Sequence, residues 1–250
     1  MAPHKYSRGL GAGHSTILRV SLSLASRRVG DITVVTCSGR IVEGAESIAL
    51  QRLLDDLLQD GPYLILHLGG VDFIDSSGLG LLVRYTTRVR HAEGALKLCT
   101  LTPKAADVLR VTHLERVFEA YETEADAITA FYQRAGSGPG TARLRTDILC
   151  VDASMDVQAY VRELMGQEGY GVLTAGNLPD ALTLLQATRP KLVIIGSELR
   201  AVRGTQSAEL FNKLADTLAV VELPADFSRL EAGEAADRLL DQVRALSLKP

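Results

Sequence analysis

The sequence predicts an α/β protein built from two successive units, the first on a mixed sheet with helices and the second on a largely parallel sheet. Three observations carry this. Short β-branched runs alternate with apolar stripes of helical period throughout the chain. The alternation is interrupted once, by Arg134-Ala-Gly-Ser-Gly-Pro-Gly-Thr141, where small flexible residues and a proline cannot support a packed element. At 250 residues, 46% of them apolar and 23% charged, there is enough chain for two ordinary cores.

Residues 1–16 are rich in Gly, Ser and basic residues and read as a disordered tail. The first 30 residues carry Lys5, Arg8, Arg19, Arg27 and Arg28 and no acid. They are read as a solvated tail in preference to a nucleic-acid arm or a transit peptide. Strands are expected at 17–25 and 31–38, joined by a tight turn at Arg28-Val29-Gly30-Asp31. A helix over 45–60 follows, because Leu50, Leu53, Leu54, Leu57 and Leu58 make one stripe and Asp55, Asp56 and Asp60 lie off it. Gly61-Pro62 stops it.

The run Tyr63-Leu64-Ile65-Leu66-His67-Leu68 is a strand, and a helix over 77–91 buries Leu79, Leu82, Val83 and Val89. Arg84, Arg88 and His91 share another face of that helix, read as its wet side in preference to a dock for an acidic partner. A strand at 95–100 and a helix opened by Thr102-Pro103, a hydroxyl cap before a proline, come next. A short strand at 117–121 and a helix at 123–133 close the first unit. Beyond the linker at 135–145, strands are expected at 146–151, 171–175, 191–195 and 218–222. Helices are expected along Val157, Val161, Leu164 and Met165, then at 179–187, 206–215 and 226–246.

Between the strand at 63–68 and the next helix lies Asp75-Ser76-Ser77-Gly78-Leu79-Gly80. This places two small hydroxyls at a helix N-terminus, where unpaired backbone N–H groups and the helix dipole favour an added anion. Asp and Ser also suit an ordinary helix cap, with Ser77 a candidate for that role. Val71-Asp72-Phe73-Ile74 leads into the hexapeptide and Cys37-Ser38-Gly39-Arg40-Ile41 precedes it. Ala95-Leu-Lys-Leu-Cys-Thr100 and the helix with Val108-Leu109 come after. In order and spacing these resemble the STAS domain of bacterial anti-sigma factor antagonists, over residues 17–134.

The resemblance implies a binding protein switched by phosphorylation of Ser76, with Ser77 the alternative acceptor. It implies a partner surface of Asp75, Ser76, Ser77, Gly78, Arg40 and Glu43. The implied partners are an anti-sigma factor serine kinase with an ATPase-like fold and a serine phosphatase that resets the switch. In the Gly39-Arg40-Ile41-Val42-Glu43 run the acid common to the family is displaced. A STAS scaffold subunit of a stress-sensing signalling complex is the alternative, and a phosphorelay receiver a further one.

Residues 146–250 resemble response-regulator receivers, a flavodoxin-like parallel fold, through the Ile-Leu-Cys-Val-Asp start, the Glu168-to-Gly176 stretch and Arg189-Pro-Lys-Leu-Val-Ile-Ile195. A working receiver needs an acidic pair for Mg²⁺ and an aspartate nucleophile at the end of its third strand. Here Asp152 is followed by Ala153, position 196 is Gly, Leu223 stands near the expected hydroxyl, and no Lys lies between Lys213 and Lys249. The region after Glu222 is also one strand short. Rescue of a metal site by Asp156 and Glu198 is disfavoured. The implied role is a pseudo-receiver that packs, self-associates or docks a partner without being phosphorylated.

No metal, cofactor, nucleic-acid or membrane role is expected, nor an enzyme. The net charge is −3, and no apolar run approaches the about 18 residues a membrane span needs. The five histidines show no zinc-ligand or Ser-His-Asp spacing. Cys37, Cys99 and Cys150 sit in strand-like segments as buried thiols of a reducing cytoplasm.

Overall fold

The computed structural model describes residues 22–133, 146–229 and 232–246. The chain enters on a hairpin: β1 (Ser23–Val29) and β2 (Ile32–Ile41) run antiparallel around Gly30-Asp31, with Gly30 at φ +62°. That left-handed conformation suits glycine and closes the turn in two residues. α1 (Ala45–Asp60) carries the chain back, so β3 (Tyr63–Ile74) lies parallel to β2. α2 (Ser76–His91), β4 (Ala95–Cys99), α3 (Pro103–Val111), β5 (Glu119–Tyr121) and α4 (Glu124–Gln133) follow. The sheet order is β1-β2-β3-β4-β5, one antiparallel pair followed by parallel ones, so the sheet is mixed.

Strand alternation splits this sheet into two buried faces. Val35, Cys37, Leu64, Leu66, Leu96 and Leu98 pack with Leu50 and Leu54 of α1 and Leu82 and Tyr85 of α2. Val34, Ile65 and Cys99 point the other way, toward Ile128 and Phe131 of α4.

The second unit runs β6 (Ile148–Val151), α5 (Met155–Gln167), β7 (Val172–Ala175), α6 (Leu178–Thr188), β8 (Leu192–Gly196), α7 (Ser197–Arg200), α8 (Gln206–Ala215) and β9 (Ala219–Leu223). A 3-10 turn at Phe227–Arg229 and α9 (Ala232–Ala245) end it. Its four strands are all parallel, in the order β7-β6-β8-β9. The chain is thus an α/β protein with a mixed sheet followed by a parallel one, and among the described residues the second sheet holds the four strands expected.

Several boundaries differ from expectation. The first strand runs on to Val29 rather than ending at 25, residues 17–21 of its expected span lying outside the described residues, and β3 continues six residues past Leu68 to Ile74. The expected terminal helix divides into the 3-10 turn and α9. The tail at 1–16 and the linker at 135–145 lie outside the described residues.

The two sheets share one apolar cluster. Val29 and Ile32 of the hairpin pack in it with Leu173, Leu178, Ala181 and Leu184 of the second unit. Gly30 N donates to Thr174 O at 3.0 Å, and Arg27 reaches both Glu124 of α4 and Asp180 of α6, the latter at 3.1 Å. Asp180 is 8% exposed at its side chain. A charge this buried needs its partners, here Arg27 and the Asn177 amide. The contact sits at the start of β2. Because β2 and β3 are parallel, the Ser76 segment after β3 lies at the opposite end of the sheet.

Candidate functional site

Ser76 is the first residue of α2 and Asp75 is its N-cap. Asp75 Oδ1 accepts the Gly78 amide at 2.7 Å and Oδ2 accepts the Glu43 amide at 2.9 Å. The Asp75 amide in turn donates to Ile41 O at 3.2 Å. One aspartate therefore caps the helix and ties it to the end of β2. Partial burial works against its ionised form. The amides of Gly78, Glu43 and Ser77 and the nearby Arg40 charge outweigh that, holding the carboxyl below the usual aspartate range.

The capping role expected as open to Ser77 belongs to Asp75. Only Asp75 sits before the first helical turn with extended backbone, φ −89° and ψ −179°. The consequence is chemical. Ser76 and Ser77 are both exposed, and with the cap supplied by the carboxylate neither hydroxyl is needed for it.

Gly78 explains how the loop can be so close to β2. A Cβ at this position would fall 2.4 Å from Ile41 O, a backbone atom that cannot move cheaply. At Gly80 nothing lies within 4 Å of such a Cβ. The first glycine is a packing requirement and the second is not.

Arg40 and Glu43 are brought to the same end of the sheet as Asp75, Ser76, Ser77 and Gly78. Arg40 lies over the Phe73 ring at 5.0 Å from its centroid. Phe73 is 46% exposed, an aromatic left open beside the serine loop. Its sequence signal is an aromatic next to Asp72 in the β3 extension; Ile48 of α1 is likewise 51% exposed.

The basic face of α2 is partly spoken for. Arg84 donates to Gln51 Oε1 at 3.0 Å, Arg88 pairs with Asp55, and Tyr85 OH donates to Asp55 Oδ1 at 2.6 Å. Arg84 and Arg88 thus fasten α2 to α1, and His91 remains exposed.

In the second unit, Asp152 and Gly196 meet at the ends of β6 and β8, with Ala153 beside them. Asp152 Oδ1 accepts the Ser154 amide at 2.8 Å. Burial, and next the charge of Glu198, push its carboxyl upward against that hydrogen bond. A Cβ at position 196 would fall 2.3 Å from Asp152 Oδ2. Among the described residues no group of three or more His, Cys, Asp or Glu could hold a metal ion. No helix among them is long and apolar enough to cross a membrane. All three cysteines are buried, with burial raising Cys37 to about 12, Cys99 to about 11 and Cys150 to about 12.

Comparison with known proteins finds likenesses for the unit that presents this serine pair. Residues 23–127 match the STAS domain. Over 102 residues the chain is 26% identical to a Bordetella bronchiseptica protein, BtrV, provisionally named an anti-sigma factor antagonist; the match covers 40% of this chain and 88% of that protein. It is 24% identical over 100 residues to the anti-sigma F factor antagonist of Paenibacillus polymyxa, covering 39% of this chain and 85% of the relative. The crystal structure of an anti-sigma factor antagonist from Mycobacterium paratuberculosis aligns at TM-score 0.41 and 25% identity, covering 44% of this chain and 93% of that one. These matches concern the first unit.

Proposed function

We propose that the chain is an anti-sigma factor antagonist that grips its partner when Ser76 is bare and releases it when Ser76 is phosphorylated. The observation that carries this reading is the exposed Ser76 hydroxyl on a helix N-terminus whose cap is already supplied by Asp75. Modifying the hydroxyl breaks no cap. The likeness of residues 23–127 to named antagonists supports the same reading.

The switch is local. Phosphorylation adds about −1.5 to −2 charges and three acceptor oxygens at a neutral position. Within the domain, the positive end of the α2 dipole tolerates that charge. Toward a partner, the phosphate joins the Asp75 carboxylate in one patch. Like-charge juxtaposition at an interface costs several kcal/mol, and each 1.4 kcal/mol is about tenfold in affinity. The fold stays intact while binding is lost. Phe73, Ile48 and the Arg40–Glu43 turn supply the apolar and polar remainder of the surface.

The partner in this reading is an anti-sigma factor with serine kinase activity and an ATPase-like fold, and a serine phosphatase restores the bare state. The second unit acts as a pseudo-receiver that packs against the first and offers a face for self-association. Leu210 and Leu214 of α8, 42% and 37% exposed, support the latter.

The test is phosphosite mapping by mass spectrometry on protein from its native cells, with binding to the cognate anti-sigma factor measured for Ser76→Ala and Ser76→Asp. Phosphate on Ser76, retained binding by the alanine variant and at least tenfold weaker binding by the aspartate variant are expected. Equal binding by both variants contradicts the reading.

A further inference from the structure

The first turn of α2 has its amides committed before any phosphate arrives. Gly78 N donates to Asp75 Oδ1 at 2.7 Å, and the Ser77 amide serves the same carboxylate. The other carboxylate oxygen accepts the Glu43 amide at 2.9 Å. A helix start ordinarily offers an anion its unpaired N–H groups. Here a phosphate on Ser76 lacks the amides of Ser77 and Gly78 unless Asp75 gives up the cap, so its donor has to come from another element.

Arg40 of β2 is placed to supply that donor. The register passes from Gly39 opposite Val71 to Arg40 opposite Phe73, so β3 carries one extra residue at this point. Without it Arg40 would stand opposite the carboxylate of Asp72. With it Arg40 stands opposite a ring and lies over that ring, 5.0 Å from the centroid. Among the described residues Arg40 forms no ion pair and no side-chain hydrogen bond, so its charge is unspent. The arginines of α2 differ: Arg84 donates to Gln51 and Arg88 pairs with Asp55. Arg40 is also close enough to act on the residue before Ser76. Burial opposes the ionised Asp75, the amides of Gly78, Glu43 and Ser77 favour it, and after them so does the Arg40 charge. An exposed contact with a ring is weaker than a forked guanidinium–phosphate pair, so a phosphate within reach takes the guanidinium from Phe73.

We propose that Arg40 is an internal clamp for phosphorylated Ser76: the guanidinium leaves the Phe73 ring and pairs with the phosphate, while Asp75 keeps the helix cap. The inference rests on the Ser76 reading and gives the phosphate its partner within the domain. Phosphorylation then alters the binding surface twice. A phosphate appears beside Asp75, and the cation that the bare protein presents over Phe73 is withdrawn. One guanidinium does not cancel a phosphate together with Asp75, so the patch stays negative and still repels an acidic or phosphate-bearing surface.

The full chain with phosphoserine placed at position 76 during synthesis tests the clamp, with no kinase or partner protein needed. Phosphorus NMR against pH reads the second ionisation of the phosphate, about 6 for phosphoserine itself. In the wild type it is expected to lie lower than in Arg40→Gln by about 0.5 pH units or more. Arg40→Lys, which keeps the charge without the planar fork, is expected to fall between the two. The Arg40 Nε–Hε resonance is expected to move on phosphorylation, and that of Arg88, held by Asp55, to stay. A second ionisation at the same pH in wild type and Arg40→Gln, or an Arg40 resonance indifferent to the phosphate, overturns the clamp and leaves the Ser76 switch standing. Equal anti-sigma binding by Ser76→Ala and Ser76→Asp overturns the switch without moving either NMR readout, so the two failures are told apart.

Discussion

The carboxylate of Asp152 stands in the space that a side chain at position 196 would need, with Oδ2 2.3 Å from where a Cβ would be. Gly196 has φ −64° and ψ 138°, ordinary for any L-residue, so the backbone does not call for glycine there. The exclusion is side chain against side chain. The residue types at positions 152 and 196 are therefore coupled through one small space.

A double-mutant cycle follows from that pair. Gly196→Asp alone is expected to destabilise the chain by about 1–3 kcal/mol, since it overpacks a closed spot and sets two carboxylates together. The same substitution in an Asp152→Gly background is expected to recover most of the loss. Urea unfolding of the four proteins measures the coupling. Additive effects would mean that the two residues do not compete for the space.

The two glycines after the serines have opposite expectations. Gly78→Ala drives a methyl against Ile41 O and should cost about 1–3 kcal/mol while prising the serine loop from β2. Gly80→Ala meets open space on a helix and should stabilise by about 0.5–1 kcal/mol. Thermal unfolding of the pair separates a packing glycine from an incidental one.

Much of this was legible in the sequence where a pattern is local. The stripe containing Leu50 and Leu54 bounds α1 because a helix with one wet side must repeat its apolar residues at that period. Asp75-Ser76-Ser77-Gly78 marks a helix start, but three of its residues are good caps, and only backbone geometry assigns the role to Asp75. The extension of β3 to Ile74 is hidden because Gly69-Gly70 resembles a turn. In the sheet, Gly70 instead lets β3 pass Ser38 at a register shift, where a Cβ would fall 2.7 Å from Ser38 Oγ. The contact between the units leaves no periodic trace, since Val29, Ile32, Leu178 and Leu184 each read as core of their own unit.

Asp75 should give the serine loop an acid sensitivity. Its carboxyl is held below its ordinary value, so its stabilising effect is complete above the unfolded-state pKa and is lost as pH falls through the lower folded value. Asp75→Ala removes the cap and the tie to Glu43 together, and is expected to cost about 1–2 kcal/mol at neutral pH. The difference from wild type should shrink toward strongly acidic pH. A constant difference down to that range would show that the carboxylate charge is not what holds the loop.

The hairpin turn offers a test of whether the two units unfold together. Gly30 has φ +62°, and a Cβ there would meet Tyr132 OH at 2.4 Å, while its amide donates to Thr174 O across the units. Gly30→Ala therefore combines backbone strain with a clash at a point where the hairpin touches β7. It is expected to cost about 1–3 kcal/mol and to lower the unfolding temperature of the whole chain. Tyr132→Phe in the same background removes the clashing hydroxyl but leaves the strain, so partial rescue is expected. Because the shared cluster joins both sheets, calorimetry should show one transition in the wild type, and in Gly30→Ala a broadened or divided one. A wild-type scan with two well-separated transitions would mean that the apolar contact between the units contributes little. Binding through the Ser76 loop, at the far end of the sheet, should be unchanged by either substitution.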